Sequence, residues 1–290
     1  MTLKATLPWP VKFGIKALIG LCRIDYRLLK RAGIVEFGRM EDVVFACDVF
    51  RRHVQVPYES QASPIPAGTL LELGPGDSVA TGFLGRFLGF ERVILVDTGA
   101  FADLRPASLI ALRESLARAG IIVPETPGRD ARSDLAALGI QYLTQGVASL
   151  RTLKPCGLSH SFSNTVLQHV YRDELPEIVQ LLGRAHAPGT LSVHSINFSD
   201  HFSGGFINQR LPDWLMESQL VKRGNLYTNR VVLRQYCELF AAAAFTLRRA
   251  HVEFHGAGDG IAVDYQSVDD MIRDTESRQA KRVFILLQKS

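Results

Sequence analysis

Two stretches, "LLELGPGDS" (Leu70–Ser78) and "RVILVDTG" (Arg92–Gly99), constrain this chain more than any other feature. Each is a short apolar run that ends near an acid and a glycine, and the residues between them have helical spacing from about Ser78 to Leu88. Strand, glycine turn, helix and strand make a unit whose crossover leaves the two strands parallel. The alternation continues with a helix around Ala107–Ala119, "IQYL", a stretch ending at "LSHSFS", a helix through "DELPEIVQLLGRAH", and "GTLSVHSIN". A later helix, "NRVVLRQYCELFAAAAF", puts Leu233, Tyr236, Cys237 and Phe240 on one face, and the strands "TLRRAHVEF" and "RVFILLQ" close the chain. The expected fold is α/β: a doubly wound, seven-stranded, mostly parallel sheet.

The chain ahead of this pattern reads differently. Val43, Val44, Cys47 and Phe50 recur at helical spacing before "ASPIPAG" interrupts. Residues 1–65 are therefore expected as a helical appendage or lid, and residues 66–290 as the main domain with an insertion at about 198–230. The length of 290 residues and a 47% hydrophobic fraction suit one large globular unit. A formal charge of +4 without a basic run interleaved with aromatics argues against nucleic acid as a partner. Cys22, Cys47, Cys156 and Cys237 form no CxxC pair, so neither zinc nor a disulfide framework is indicated, and they read as buried thiols of a reducing, cytoplasmic chain. The segment "PWPVKFGIKALIGLC" carries Lys12 and Lys16 and is too short to span a bilayer. It reads as a lid docked on the core, with weak membrane-surface association as the alternative.

Gly74 and Gly76, between a strand and a helix, allow a tight turn and bring backbone N–H groups close to a negatively charged ligand group. Asp97 follows Gly76 by 21 residues, at the carboxyl end of the second strand, where a doubly wound sheet presents an acid to the hydroxyls of a ribose. The pair reads as a nucleoside site. A dinucleotide fingerprint calls for a third glycine where Val79 stands. Glu72, just before the turn, would repel a pyrophosphate and attract an ammonium group. A ligand with a ribose at one end and an amino acid at the other is S-adenosylmethionine.

On these residues the chain resembles the class I S-adenosylmethionine-dependent methyltransferases, whose first motif runs acid-x-Gly-x-Gly and whose second ends in an acid. The stretches "YLTQGVASL", "SFSNTVLQHVYRDELP", "NFSDHFSGG", "INQRL" and "YTNRVVLRQYCELFAAAAF", with the leader "PVKFGIKALIGL...YRLLKRAGIVEFGRMED", are similar to a bacterial branch found among genes for surface polysaccharide and sugar modification. The resemblance implies a Rossmann-like methyltransferase fold and S-adenosylmethionine as donor. It places Glu72, Gly74, Pro75, Gly76 and Asp77 around the methionine portion, Asp97 and Thr98 at the ribose, and Ser163 and Asn164 near the sulfonium. Gln168 and Asn197 depart from the branch, which commonly has Glu and Asp there.

Transfer to a hydroxyl, of a small molecule or a glycan precursor, requires removal of a proton. His201 with Asp200, after the fifth strand, is the leading candidate base and His169 the second. Against these roles, Asp200 could cap a turn and His169 could be satisfied by backbone groups. His194 reads as a buried strand residue, and Asp173 and Glu174 as helix-start charges. Tyr227, Asn229 and Arg230 precede a helix that the resemblance implies covers the cleft, which makes them candidates for contacting the acceptor, with ordinary capping by Thr228 or Asn229 as the alternative. The alternatives to an O-methyltransferase are N- or carboxyl-methyl transfer, a nucleotide-dependent oxidoreductase, and a non-catalytic donor-binding module.

Overall fold

The computed structural model describes residues 7–21, 39–125, 130–200, 202–223, 226–255 and 262–290. Its centre is one sheet with the order β3-β2-β1-β4-β5-β8-β6-β7. The strands are β1 (Thr69–Leu73), β2 (Arg92–Val96), β3 (Ile140–Leu143), β4 (Leu158–Asn164), β5 (His186–Asn197), β6 (Phe245–Phe254), β7 (Ala262–Tyr265) and β8 (Ala280–Lys289). Strands β1 to β5 are mutually parallel, β8 runs antiparallel between β5 and β6, and β7 pairs antiparallel with β6. The sheet is thus mixed and eight-stranded, not seven-stranded. The added strand, "AVDY", is a four-residue edge piece with too little alternation to announce itself in sequence.

The chain builds outward from β1 to β3, then returns so that β4 pairs with the other side of β1. The order reverses there, and the crevice beyond the carboxyl ends of β1 and β4 is where sheets of this kind receive ligands. One face is covered by α2 (Val43–Phe50), α3 (Ala80–Phe87), α4 (Pro106–Arg118) and α5 (Ala131–Ala137). The other is covered by α6 (Leu175–Ala185), α7 (Leu233–Ala242) and α8 (Val268–Ser277). Helix α1 (Trp9–Leu21) lies apart from both, against the segment that follows β5.

Residues 43–59, expected as part of an appendage, contribute Val43, Ala46, Val49, Phe50, Val54 and Tyr58 to the core of the first face. Asp42 starts this helix by accepting the amides of Val44 at 3.0 Å and Phe45 at 3.4 Å. A π-helical turn, Arg51–Gln55, then leads into Val56–Glu59. Pro57 has no N–H to give the carbonyl of His53 four residues back. The Nε2–H of His160 on β4 donates to that carbonyl instead, at 3.0 Å, while the Tyr58 hydroxyl lies 3.1 Å from His160 Nδ1. A proline that would weaken an isolated helix is here the reason the helix bonds to the sheet.

Helix α3 approaches the sheet closely. A Cβ on Gly85 would lie 2.6 Å from Leu70 Cδ2 and 3.0 Å from Val93 Cγ2, both fully buried side chains. The close helix–strand packing for which a third fingerprint glycine would be needed at Val79 is supplied later in the helix. Gly85→Val is expected to cost about 1–3 kcal/mol of stability through overpacking, read as a lower urea midpoint at unchanged slope.

Candidate functional site

The turn between β1 and α3 is held from both sides. Gly74 and Gly76 have φ of +68° and +71°, and a Cβ on Gly74 would lie 2.5 Å from Val166 Cγ2. A Cβ on Gly76 would meet nothing within 4 Å, so this glycine faces open space. The N–H of Gly74 continues the sheet ladder to Val96 O at 2.8 Å. The N–H of Gly76 donates to Asp97 Oδ2 at 3.2 Å, and Thr98 N–H donates to Asp97 Oδ1 at 2.7 Å. A carboxylate has about four acceptor positions, so Asp97 keeps capacity for a ligand donor. Partial burial raises its pKa to about 6 against the pull of the Thr98 and Gly76 amides.

Glu72 is buried on the α3 face, where the hydroxyl of Thr81 donates to its Oε2. Burial raises its pKa to about 8, the Thr81 bond lowers it, and Asp97 adds to the rise. A carboxyl in this condition gains charge when a cation comes near. Pro75 and Asp77 are buried in the turn, and Asp77 O accepts the Asp103 amide at 3.1 Å.

Tyr142 on β3 had no motif to mark it. Its hydroxyl accepts the amides of Phe101 at 3.0 Å and Ala102 at 3.2 Å and donates to Gly99 O at 3.0 Å, which clamps the loop after β2. Gly146 N–H donates to Asp97 O at 2.8 Å. Asp97 is thereby fixed from its own loop, from the turn of β1 and from the segment after β3.

At the end of β4, Asn164 Oδ1 accepts the Ser195 hydroxyl at 2.9 Å, and Thr165 has a φ of +57°. The side chain of Ser163 is fully buried between the strands and belongs to a hydrogen-bonded series that crosses β4 and β5. The Thr190 hydroxyl donates to Ala187 O at 2.6 Å, so it accepts from His186 Nδ1–H at 2.8 Å. His186 Nε2 then accepts the Ser161 hydroxyl at 2.7 Å, and Ser161 accepts the Ser192 hydroxyl at 2.7 Å. Ser192 accepts His194 Nε2–H at 2.8 Å, and His194 Nδ1 accepts the Ser163 hydroxyl at 2.8 Å. Each histidine must be neutral to fill both positions. His194 is a buried strand residue stacked on Phe240, as expected.

The candidate bases have different settings. His201 lies outside the described residues. The Asp200 carboxylate is buried and turned into its own loop: Oδ1 accepts Phe202 N–H at 3.1 Å and Ser203 N–H at 2.5 Å, and Oδ2 accepts the Ser203 hydroxyl at 2.6 Å and Ile207 N–H at 2.8 Å. These bonds support the turn-capping role of Asp200 over that of an orienting partner for His201. His169, in a 3-10 turn after β4, has Nδ1 at 2.9 Å from Tyr227 O. Its pKa is lowered first by burial and further by Lys16 of α1, against the raising effect of the Tyr227 carbonyl.

Asn229 fastens the same turn. Its N–H donates to Gln168 O at 2.8 Å and its Nδ2 to Leu167 O at 2.8 Å. Arg230, at φ +56°, donates from Nη1 to Leu211 O at 2.9 Å and pairs through Nη2 with Asp213 at 2.5 Å. The segment after β5 is thus closed over the end of β4. Among the described residues no group of His, Cys, Asp and Glu is placed to hold a metal ion. Of the cysteines, Cys47 and Cys237 are partly buried, Cys156 is exposed rather than buried, and Cys22 lies outside the described residues.

No family model and no curated relative matches the chain. Solved structures do. An S-adenosylmethionine-dependent methyltransferase from Archaeoglobus fulgidus is 13% identical with a TM-score of 0.48, over 91% of this chain and 100% of its own. One from Mesorhizobium loti is 12% identical with a TM-score of 0.45, over 81% of this chain and 96% of its own. One from Methanosarcina mazei is 14% identical with a TM-score of 0.43, over 77% and 92%.

The buried histidines give the molecule a pH dependence that does not rely on any ligand. Burial holds His53 down to about 4 and His160 and His186 to about 3, and it lowers His194 as well. The unfolded chain takes up these protons near 6.5 and the folded chain does not. Stability is therefore full above about pH 6.5 and falls as the pH drops toward 4, by about 2 kcal/mol per histidine at pH 5. Glu72 and Asp97, raised to about 8 and about 6, act in the opposite sense with one proton each. With His169, lowered in the same sense, five groups against two predict a net loss of a few kcal/mol between pH 7 and 5, visible by calorimetry as a lower Tm.

Proposed function

We propose that the protein is an S-adenosylmethionine-dependent methyltransferase acting on a hydroxyl of a small molecule or glycan precursor. The observation that supports this reading is the bond from Gly76 N–H to Asp97: a carboxylate with acceptor capacity to spare stands beside a glycine turn that faces open space, with Glu72 buried just before it. The residues fit the donor. Asp97 has acceptor capacity for the ribose hydroxyls. Gly76 has no side chain to occupy the space over the turn. Glu72, with its raised pKa, supplies negative charge in response to an ammonium group rather than presenting it beforehand. Asp97 suits the ribose of either ligand, whereas Glu72 before the turn gains a partner from an ammonium group and none from a pyrophosphate, which weighs against the oxidoreductase reading.

The bound donor would supply a methyl group already activated on a sulfonium sulfur. What remains for the chain is to exclude water, align the acceptor and take its proton. The α1 helix, the segment after β5 and the Tyr227–Arg230 stretch supply the cover. His201 is the proposed base and His169 the second candidate. The Nδ1–H of His169 is directed at Tyr227 O, so the ring's lone pair is on Nε2, and its lowered pKa keeps the ring neutral at ordinary pH.

A thermal-shift panel separates the readings: S-adenosylhomocysteine should stabilise the protein, and NAD and NADP should not. Asp97→Ala should weaken S-adenosylhomocysteine by about 1–3 kcal/mol in calorimetry, and unchanged affinity would sink the assignment of the ribose. With a hydroxyl acceptor in hand, removal of the true base should leave donor binding intact and lower turnover by about 100-fold or more. Near-parental rates in both His201→Ala and His169→Ala would point to a nitrogen or carboxylate acceptor instead.

A further inference from the structure

Three consecutive residues, Tyr227, Thr228 and Asn229, gather four polar residues where the segment after β5 lies against the turn after β4. His169 Nδ1 bonds to Tyr227 O at 2.9 Å, and Asn208 Nδ2 donates to Thr228 Oγ1 at 2.8 Å. Asn229 N–H donates to Gln168 O at 2.8 Å. The fourth residue is Lys16 of α1, whose neighbour Ala17 packs in one apolar cluster with Leu226 and Tyr227. Burial lowers the pKa of His169 and the charge of Lys16 lowers it further, so the half-buried lysine stands close to that ring. This corner belongs to the ligand edge of the sheet. Val166, two residues before Gln168, is the side chain that a Cβ on Gly74 would strike, and Thr165 N–H bonds to Ser195 O at 2.9 Å.

Two groups of this corner are incomplete. Thr165 O accepts Gln168 Nε2–H at 2.8 Å, and because a carbonyl can take only a donor, the sense of the Gln168 amide is fixed. Its Oε1 and the Oδ1 of Asn208 are buried and have no hydrogen-bond partner among the described residues. The two residues are 3% and 1% exposed. Bare buried amide oxygens are costly, and an N–H or O–H donor completes them.

Charge sets a second requirement. The three acids of residues 198–230 are engaged within that segment: Asp200 by amides of its own loop, Asp213 by Arg230 at 2.5 Å, and Glu217 by Lys222 at 3.3 Å. Lys16 has three N–H donors, which a single partner does not exhaust, and Lys12 stands half-buried one turn earlier on the same side of α1. Cations together with bare acceptor oxygens suit a molecule that carries both an anionic group and hydroxyls.

We propose that the methyl acceptor is a hydroxylated anion, a sugar phosphate or a sugar acid, whose anionic group is held by Lys16 and whose hydroxyls donate to Gln168 and Asn208. This substrate class rests on the methyltransferase reading of the cleft. Phosphate and carboxylate offer an ammonium the same kind of oxygen, and the test separates them.

The test is a thermal-shift series on the full chain. S-adenosylhomocysteine alone should raise the Tm of the parent, Lys16→Gln, Lys16→Arg and Gln168→Met alike. In its presence hexose phosphates or hexuronic acids should raise the parent further while neutral hexoses at equal concentration do not, and the class that responds identifies the anion. By calorimetry Lys16→Gln should bind the responding sugar about tenfold or more weakly, and Lys16→Arg should restore it. Gln168→Met should weaken the same sugar by about tenfold and keep the preference for charged over neutral sugars. The proposal is overturned if no charged sugar adds to S-adenosylhomocysteine, if neutral hexoses stabilise the loaded parent equally, or if Lys16→Gln or Gln168→Met binds the charged sugar as the parent does. The comparison of charged with neutral sugars needs only the parent, so it decides even where a variant does not fold. No shift with S-adenosylhomocysteine alone would instead overturn the donor reading, and the proposal with it.

Discussion

The hydrogen bond between Gly76 N–H and the Asp97 carboxylate is the contact on which the geometry of the ligand edge depends. It forms because left-handed backbone at Gly74 and Gly76 turns the chain back toward β2, and because Gly85 lets α3 settle onto Leu70 and Val93. A side chain at Gly74 would strike Val166, so the turn and the segment after β4 must be built together. Tyr142 and Gly146 then hold the far side of Asp97. The two carboxyls that define the site come from neighbouring strands, and neither position tolerates a shift in register. Leu73 pairs with Val96 and with Ser163, so one residue of slippage would move every group at this edge.

The lobe that closes this edge uses a different device. It has little regular structure and relies on side chains that replace a backbone ladder: Asp200 gathers the amides of its own loop, Asn229 holds the turn after β4, and Arg230 reaches Leu211 and Asp213. Such a segment can change its inward-facing residues without disturbing the sheet, which is the usual division between a scaffold and the loops that choose a ligand.

Much of the sheet was legible because β1, β2, β4 and β5 are buried on both sides and therefore read as apolar runs at regular intervals. The acid and glycine positions were legible for a related reason: a turn with positive φ leaves a mark in sequence, and so does an acid at a strand end. What was missed had no such mark. Strand β7 is too short, and residues 43–59 looked separate only because a proline-rich stretch follows them, whereas the bond from His160 to His53 O makes them part of the sheet's cover. Tyr142 works through three backbone groups, a role that any strand tyrosine could hold. Asp200 accepts amides up to eight residues ahead, a capping use that the sequence offered beside its pairing with His201 without deciding between them.

The series from Thr190 to Ser163 is a single polarised array. Every hydroxyl and ring nitrogen in it has one direction, and no member can reverse unless all do. The sense of the whole is fixed where Thr190 meets Ala187 O, near the amino end of β5, while the other terminus lies at the carboxyl edge beside the glycine turn. A residue at the opposite rim of the sheet thus dictates which way a hydroxyl dipole points at the ligand edge, through an array whose own members are all neutral.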